Sequence, residues 1–509
     1  MTDNEQKADA GYKAPRGASK KQNWNGIDYT ATAQWVVLRK KEKPAAEVFS
    51  VSYIKDGPDP GRPVTFVFNG GPGAASAFLH LGVVGPQRLD LPADGSLPPM
   101  PVRLVHNEES WLPFTDLVFI DPVGTGFSRA VEADEAKGDA KKEEKPNEYF
   151  SVRRDLDAMC EFIGRWLSEN GRWGSAIFIA GESYGGYRAG RLTRLLQEKG
   201  IGLNGSILIS PALEPVHLSM AYGWGDYEVA TWLHLLPTMA ASATFHGRSR
   251  VFKRGTPIEQ VLREAEAFAT GPYASYLAAG AAMPAAERDR VLGRFADLVG
   301  LGKDLVTRAE GRIRVGQFVR ELLRDEQKVV GRYDATIATT DPFPDREVFS
   351  GADPTLTGFW PAFTMAVNQQ LRSVIGVETD REYKLLEIDV FSAWKNDEAL
   401  HYIQMTEGAV DDFRYGMAMN PHMKAFITHG WYDLMTPYYL SDRLRNLMRL
   451  EPGVAERVTV RHFGGGHMFY QWEESRKGFT AAIASFMAEA MGLPDEPNIV
   501  PVGGYKEQE

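Results

Sequence analysis

A serine within a glycine-rich turn is the feature of this 509-residue chain that points most directly to chemistry. Residues 181–185 read Gly-Glu-Ser-Tyr-Gly, directly after the apolar run Ala176–Ala180 and directly before a helical pattern. In this strand–turn–helix context a G-x-S-x-G string lifts the serine hydroxyl above the C-terminal end of a parallel sheet. The small residues at both ends of the string let the backbone turn without clashes. The sequence therefore predicts Ser183 as a nucleophile.

A serine nucleophile needs a histidine base, and that histidine needs a carboxylate that fixes its tautomer. In proteins with such a turn, the chain order is serine, acid, histidine. His467 lies in a glycine-rich string after a strand-like run, and Asp433 is the only carboxylate in the loop after the preceding strand. These positions predict a triad of Ser183, Asp433 and His467, the alternative being an incidental histidine on a surface loop. We expect His429 to be packed at its strand end.

The oxyanion formed during attack on a carbonyl needs backbone N–H donors. One donor is expected from Tyr184, directly after the nucleophile. A second is expected from the glycine-rich turn 69–73 (Asn-Gly-Gly-Pro-Gly), which follows a strand-like run; Gly71 is the candidate. A phosphate loop is the alternative for this turn, but the string lacks the P-loop lysine and the spacing of a dinucleotide fingerprint.

Strand-like runs alternate with helical patterns along most of the chain, which predicts an α/β fold with a mostly parallel central sheet and helices on both faces. We assign the core to residues 25–214 and 386–509. Residues 215–385 are mainly helical in pattern and are predicted to form a large cap insertion over the active site. Residues 1–24 are predicted to be disordered or loosely attached, and the charged stretch 131–148 to be a solvated loop.

The formal net charge of −10 argues against a nucleic-acid partner. No uninterrupted apolar run is long enough to cross a bilayer, so we expect no membrane partner. The N-terminal 22 residues are polar and lack the apolar core of a secretory signal peptide. We therefore expect a cytoplasmic protein, or a periplasmic or secreted one from which a leader was removed.

Cys160 is the only cysteine, so the chain has no intrachain disulfide. It falls in the helical pattern 152–167 at a position typical of a buried face, which favours a structural role over a nucleophilic one. No histidine–carboxylate cluster has the spacing of metal ligands, and we expect neither a metal nor a cofactor.

Several strings resemble the signature blocks of the serine carboxypeptidase family. These are residues 69–73, 119–128 (Phe-Ile-Asp-Pro-Val-Gly-Thr-Gly-Phe-Ser) and 181–187, together with Asp433 and the Gly-His-Met string at 466–468. The resemblance spans residues 64 to about 470. Because the family's disulfides are absent, the chain resembles a divergent, bacterial-type member.

The resemblance implies an α/β-hydrolase fold and removal of single C-terminal residues from peptides, through an acyl-enzyme on Ser183. It also implies that Asn69, Gly70 and Glu182 hold the free carboxylate of the peptide substrate. A protonated acid at Glu182 can donate a hydrogen bond to a carboxylate, so binding is expected to weaken once Glu182 ionises.

The sequence departs from the family pattern near this carboxylate site. The family has a second glutamate fourteen residues after the asparagine, where this chain has Val83. A lone Glu182 is therefore expected to have no acidic partner that raises its pKa. Ala74 replaces a usual cysteine, and the string 210–212 (Ser-Pro-Ala) replaces a usual Gly-Asn-Gly.

Two other functional classes stay open. An esterase or acyltransferase would use the same triad and differ in the group that accepts the acyl. A binding protein that kept the fold without catalysis is the second.

Overall fold

A computed structural model describes residues 12, 14–57, 59, 61–131, 147–219, 229–346, 351, 353–395 and 408–493. The strands within these ranges are β1 (Ala18–Trp24), β2 (Ile27–Lys40), β3 (Lys43–Lys55), β4 (Val64–Phe68), β5 (Gln87–Leu89), β6 (Leu104–His106), β7 (Asp116–Ile120), β8 (Arg129–Ala130), β9 (Ile177–Glu182), β10 (Gly205–Ile209), β11 (Lys328–Val330), β12 (Ala338–Thr340), β13 (Lys424–Thr428) and β14 (Val458–Val460).

α-Helices lie between most of the strands of the central sheet along the chain. They are Ala77–Leu79, Val152–Glu169, Tyr184–Glu198, Pro215–Ser219, Ala230–Phe245, Ile258–Phe268, Ala274–Ala279, Ala285–Val299, Lys303–Arg308, Val315–Glu321, Pro354–Asn368, Ile388–Ala393, Val410–Met419, Tyr438–Leu447, Pro452–Ala455 and Glu473–Ala490. Short π-helical turns occur at His80–Val84, Ala269–Tyr273 and Gln369–Ile375, and 3₁₀ turns at Gly280–Ala282, Arg324–Glu326 and Phe469–Gln471.

Ten strands form one sheet, in the order β1-β2-β3-β7-β4-β9-β10-β13-β14, with β8 paired to β3. Strands β7 to β14 of this order run parallel, whereas β1, β2 and β3 pair antiparallel with their neighbours up to β7. Parallel pairs joined by helical crossovers place the loops after β4, β9, β13 and β14 at one edge. This arrangement is the α/β-hydrolase fold, and the prediction of a mostly parallel sheet is confirmed.

The central strands β4, β7, β9 and β10 are buried on both faces of the sheet, which explains why they are continuous apolar runs rather than alternating ones. Phe66 and Phe68 of β4 pack in the cluster that contains the apolar faces of helices Val152–Glu169 and Tyr184–Glu198. Val67 points to the opposite face and joins the cluster that includes helix Glu473–Ala490. Burying a large apolar side chain in such a cluster contributes roughly 1.5–3 kcal/mol to folding.

Helices between residues 230 and 330 pack around an apolar core of their own, with Leu236, Phe295 and Phe318 fully buried. Helix Pro354–Asn368 lies within the predicted insertion 215–385 but packs differently. Its Phe363 ring contacts Phe78 at 4.9 Å between ring centroids, within the main core. The role of the insertion as a cap stays a prediction.

The N-terminal prediction was wrong for residues 18–24. They form β1, which pairs along its whole length with β2, and the Trp24 indole donates to the Asn107 carbonyl at 2.9 Å. The segment reads as polar because it is an edge strand whose lysines face solvent, which also protects the edge from further pairing. Residues 1–11 and most of the charged stretch 131–148 lie outside the described residues.

Cys160 is 2% exposed on the inner face of helix Val152–Glu169, as predicted, and burial raises the pKa of its thiol to about 12. Across the part of the chain that the structure describes, no helix combines the length and apolar character needed to span a membrane.

Candidate active site

Ser183 occupies the turn between strand β9 and helix Tyr184–Glu198, with φ at +62°. A positive φ at a residue other than glycine is strained and is held only where the surroundings enforce it. Here glycines make the turn possible, since a Cβ on Gly181 would lie 2.0 Å from the Gly185 carbonyl oxygen. A Cβ on Gly185 would in turn lie 2.7 Å from the Phe68 carbonyl oxygen. The turn therefore has the form that its sequence predicts.

His467 and Asp433 are hydrogen-bonded to each other, with 2.6 Å between His467 Nδ1 and Asp433 Oδ2. Backbone N–H groups of Met435 and Thr436 donate to Asp433 Oδ1, and the Thr436 hydroxyl donates to Oδ2. These donors orient the buried Asp433 carboxyl, so that its Oδ2 can accept the Nδ1–H of a neutral imidazole and leave Nε2 with the lone pair. His467 lines the same pocket as Ser183. The fold thus brings the three predicted triad residues to one site.

The electrostatic environment of His467 favours its charged form. Burial alone lowers the pKa of the imidazole, but the carboxylates of Asp433 and Glu182 outweigh burial, and the net pKa is raised above its usual value. An imidazolium formed by proton transfer from Ser183 would be stabilised in the same way.

The loop that carries His467 is anchored by residues from the predicted insertion. The Gly466 N–H donates to Asp334 Oδ2 at 2.9 Å, and the edge of the Tyr333 ring packs against the imidazole at 5.3 Å between centroids. No local pattern in the sequence predicts this contact, because it depends on the path of a distant loop. His429 is buried and hydrogen-bonded to Ser441 at 2.7 Å, which confirms its packing role.

The two segments predicted to stabilise the oxyanion lie side by side. A Cβ on Gly70 would come within 2.5 Å of the Tyr184 nitrogen and 2.6 Å of the Glu182 carbonyl oxygen, so the turn after β4 rests directly on the nucleophile turn. Gly71 has φ at +99° and lines the pocket beside Ser183. The N–H groups of Gly71 and Tyr184 therefore belong to adjacent backbone segments.

Arg188 is a supporting residue that the sequence reading missed. Its fully buried guanidinium donates from Nη1 to the Asn69 carbonyl at 2.7 Å and forms an ion pair with Asp155 at 2.7 Å. Because Asn69 begins the glycine-rich turn, this bond ties the turn to helix Tyr184–Glu198. The available signal was an arginine at helical spacing from Tyr184 and Leu192, which lie four positions before and after it.

The Glu182 carboxyl is 2% exposed and receives hydrogen bonds from two side chains. The Asn69 amide nitrogen donates to Oε2, and the Tyr470 hydroxyl lies 2.9 Å from Oε1 and 3.1 Å from Oε2. The Leu79 N–H donates to Asn69 Oδ1 at 3.0 Å, which fixes the amide with its nitrogen toward Glu182.

The expectation that a lone Glu182 would lack a raised pKa was wrong. Burial raises its pKa to about 7, while His467 and the bond from Tyr470 act in the opposite direction. Desolvation disfavours the charged form of a carboxyl and is the largest cause of the raised pKa, to which the Asp433 carboxylate adds. Val83, at the position of the family's second glutamate, is fully buried in the main apolar core.

The pocket above Ser183 combines these polar groups with apolar walls. It is lined by Asn69, Gly70, Gly71, Ala74, Phe78, Glu182, Ser183, Tyr333, Leu356, Leu386, His467 and Met468. Among the described residues, no cluster of three histidine, cysteine or acidic side chains could hold a metal ion.

Comparison with known proteins agrees with these features. The family model for serine carboxypeptidases matches residues 37–223. The chain is 34% identical over 164 residues to the pheromone-processing carboxypeptidase kex1 of Aspergillus niger, a match that spans 31% of this chain and 22% of that protein. It is 27% identical over 164 residues to serine carboxypeptidase-like 26 of Arabidopsis thaliana, spanning 31% of this chain and 32% of that protein. These matches thus span less than two thirds of the relatives' own length.

Among solved structures, the chain resembles the prohormone-processing carboxypeptidase Kex1(Δ)p of Saccharomyces cerevisiae. The TM-score is 0.54 at 14% identity, over 91% of this chain and 92% of that structure. At this identity the likeness concerns the fold, which agrees with the sheet order described above. The family model and the curated relatives thus show that part of the chain, including residues 37–223, is similar to serine carboxypeptidases.

Proposed function

We propose that this chain is a serine-type carboxypeptidase, which removes the C-terminal residue of a peptide through an acyl-enzyme on Ser183. The observation that carries the proposal is the position of the buried Glu182–Asn69 pair in the same pocket as Ser183 and His467. A neutral carboxylic acid beside the nucleophile can donate to a free carboxylate, a group that internal peptide bonds and simple esters do not carry.

In the proposed reaction, Ser183 Oγ attacks the carbonyl carbon of the last peptide bond while His467 Nε2 accepts its proton. The N–H groups of Gly71 and Tyr184 donate to the oxyanion as it forms. The C–N bond then breaks, and His467 returns the proton to the leaving amine. Water, deprotonated by the same imidazole, releases the shortened peptide from the serine. Asp433 stabilises the imidazolium in both steps.

The substrate carboxylate would be held by groups on the glycine-rich turn and by Glu182. An amide nitrogen carries two hydrogens, so Asn69 can donate to Glu182 with one and to the substrate with the other. The Gly70 N–H is the second donor. Glu182 with its pKa near 7 is neutral in mildly acidic solution, where its O–H can be the third donor.

The test compares one blocked dipeptide in three forms: the free acid, the amide and the methyl ester. We expect the free acid to have the highest kcat/KM, and Glu182→Gln to reduce that value more than those for the amide and ester. Ser183→Ala should abolish turnover of all three. Equal values for the three forms would favour an esterase or acyltransferase, and no turnover would favour a binding protein.

A further inference from the structure

Tyr470 is a buried residue that contacts the proposed carboxylate site but not the substrate pocket. It lies in the 3₁₀ turn Phe469–Gln471, three positions after His467, and is fully buried. Its hydroxyl is within hydrogen-bond distance of both oxygens of Glu182. The two residues are 288 positions apart in the chain, so the bond joins the histidine loop to the nucleophile turn.

The ring of Tyr470 occupies space that the fold leaves open for it. A Cβ on Gly82 would lie 2.5 Å from Tyr470 Cε2, so the ring rests on the bare backbone of the turn His80–Val84. The position of the ring places its hydroxyl 2.9 Å and 3.1 Å from the two oxygens of Glu182. Burial and the neighbouring carboxyl raise the pKa of the Tyr470 hydroxyl well above its usual value, so it stays a donor.

Among the described residues, both side chains that hydrogen-bond to Glu182 are therefore donors: Asn69 to Oε2, and Tyr470 within reach of both oxygens and nearer to Oε1. Two donors leave the carboxyl in one orientation and favour its ionised form. The charged groups that face Glu182 from the other packed elements are His467 and Asp433, with opposite effects. Tyr470 itself affects the Glu182 carboxyl through the hydrogen bond from its hydroxyl, which favours the ionised form.

We infer that Tyr470 is a positioning residue for the substrate's C-terminal carboxylate: it orients the Glu182 carboxyl beside Ser183 and sets the pH above which the site stops accepting a free carboxylate. This inference rests on the proposed function, since it assigns Glu182 to the substrate carboxylate. Removing the hydroxyl removes a bond that stabilises the ionised form. Glu182 then stays protonated, and able to donate, to a higher pH.

The experiment measures KM and kcat against pH for a blocked dipeptide acid and its methyl ester. In Tyr470→Phe we expect the rise in KM for the acid to move upward by about one pH unit, the equivalent of one hydrogen bond to a charged group. The profile for the ester should stay in place. Tyr273→Phe, which removes a buried hydroxyl bonded to the Gly311 carbonyl at 2.8 Å in the helical region, is the matched control and should change neither profile.

A second measurement keeps the shape of the side chain. Fluorotyrosine at position 470 is a stronger donor than tyrosine, so it should move the rise in KM for the acid to lower pH. Adding Tyr470→Phe to Glu182→Gln should produce no shift.

Three results would overturn the inference: an acid profile that neither substitution moves, an equal movement of the ester profile, or a shift that persists in the Glu182→Gln background. The comparison of acid with ester in the wild type distinguishes failure of the proposed function from failure of the inference about Tyr470. Without a preference for the acid in the wild type, the proposed function itself fails and the inference fails with it.

Discussion

The Arg188 guanidinium donates a hydrogen bond to the Asn69 carbonyl at 2.7 Å and at the same time holds the Asp155 carboxylate. One buried cation thus ties the helix after the nucleophile to the turn that carries the proposed oxyanion and carboxylate donors. Arg188 is fully buried and Asp155 is 4% exposed, so neither charge has solvent to replace its partner.

Arg188→Met should be strongly destabilising, because it leaves the Asp155 charge buried and unpaired. We expect a loss of about 3–5 kcal/mol in the free energy of unfolding, measured by chemical denaturation. Arg414→Met, which breaks an exposed ion pair with Asp411, is the control and should cost less than about 1 kcal/mol.

Removing both charges should restore stability without restoring activity. Asp155→Leu added to Arg188→Met removes the unpaired charge and should restore much of the stability. Turnover should stay low, because the Asn69 carbonyl still lacks its donor. Full recovery of kcat in the double variant would show that the bond to Asn69 does not position the turn.

Gly70→Ala tests the contact between the two backbone segments of the proposed oxyanion site. The added Cβ would meet the backbone of Tyr184 and Glu182, which cannot yield as a flexible side chain can. We expect kcat to fall by about 10²–10³, the range for loss of one oxyanion donor. Gly202→Ala is the control, since a Cβ there meets nothing within 4 Å. Equal activity of the two variants would contradict the assignment.

Asp334→Asn tests whether the loop from the helical region positions His467. An amide at 334 can keep one of the acceptor contacts but not both, because its nitrogen must face either Gly466 or Thr336. We expect kcat to fall by about tenfold or more with KM little changed, since misplacing a catalytic group by a fraction of an ångström slows the chemical step. Asp325→Asn, an exposed substitution in the same region, should leave both constants in place.

The raised pKa of Glu182 should be visible in the pH dependence of stability. Its pKa is about 7 in the folded protein against 4.5 for the ordinary side chain, so the folded state binds its proton more tightly than the unfolded state. The stability that this tighter proton binding contributes is therefore fully present below about pH 4.5 and is lost as the pH rises through about 7. Between about pH 4 and about pH 8, wild type should lose roughly 3 kcal/mol relative to Glu182→Gln. A constant difference between the two proteins would contradict the raised pKa.

The sequence was sufficient to predict the sheet and the meeting of Ser183, Asp433 and His467. Each of these residues follows a strand-like run, and the ends of parallel strands meet at one edge of a sheet, so their local strings predicted a common place. The glycines on either side of Ser183 likewise predicted the tight turn that holds this serine.

The supporting residues could not be predicted in this way. The contacts of Tyr470 with Glu182 and of Asp334 with Gly466 join segments that are distant in the chain, and no local pattern marks them. The pKa of Glu182 was misjudged because the sequence showed the missing acid at Val83 but not the depth of burial. Strand β1 was missed because solvent-facing lysines hide an edge strand.

The most direct test of the proposed triad is reaction with a fluorophosphonate, followed by peptide mass spectrometry and residual turnover of the blocked dipeptide acid. We expect a single adduct on Ser183, with turnover lost in proportion to the labelled fraction, and labelling slowed strongly in Asp433→Asn and His467→Ala. An adduct on another residue, or full turnover by enzyme labelled at Ser183, would contradict the assignment of the nucleophile.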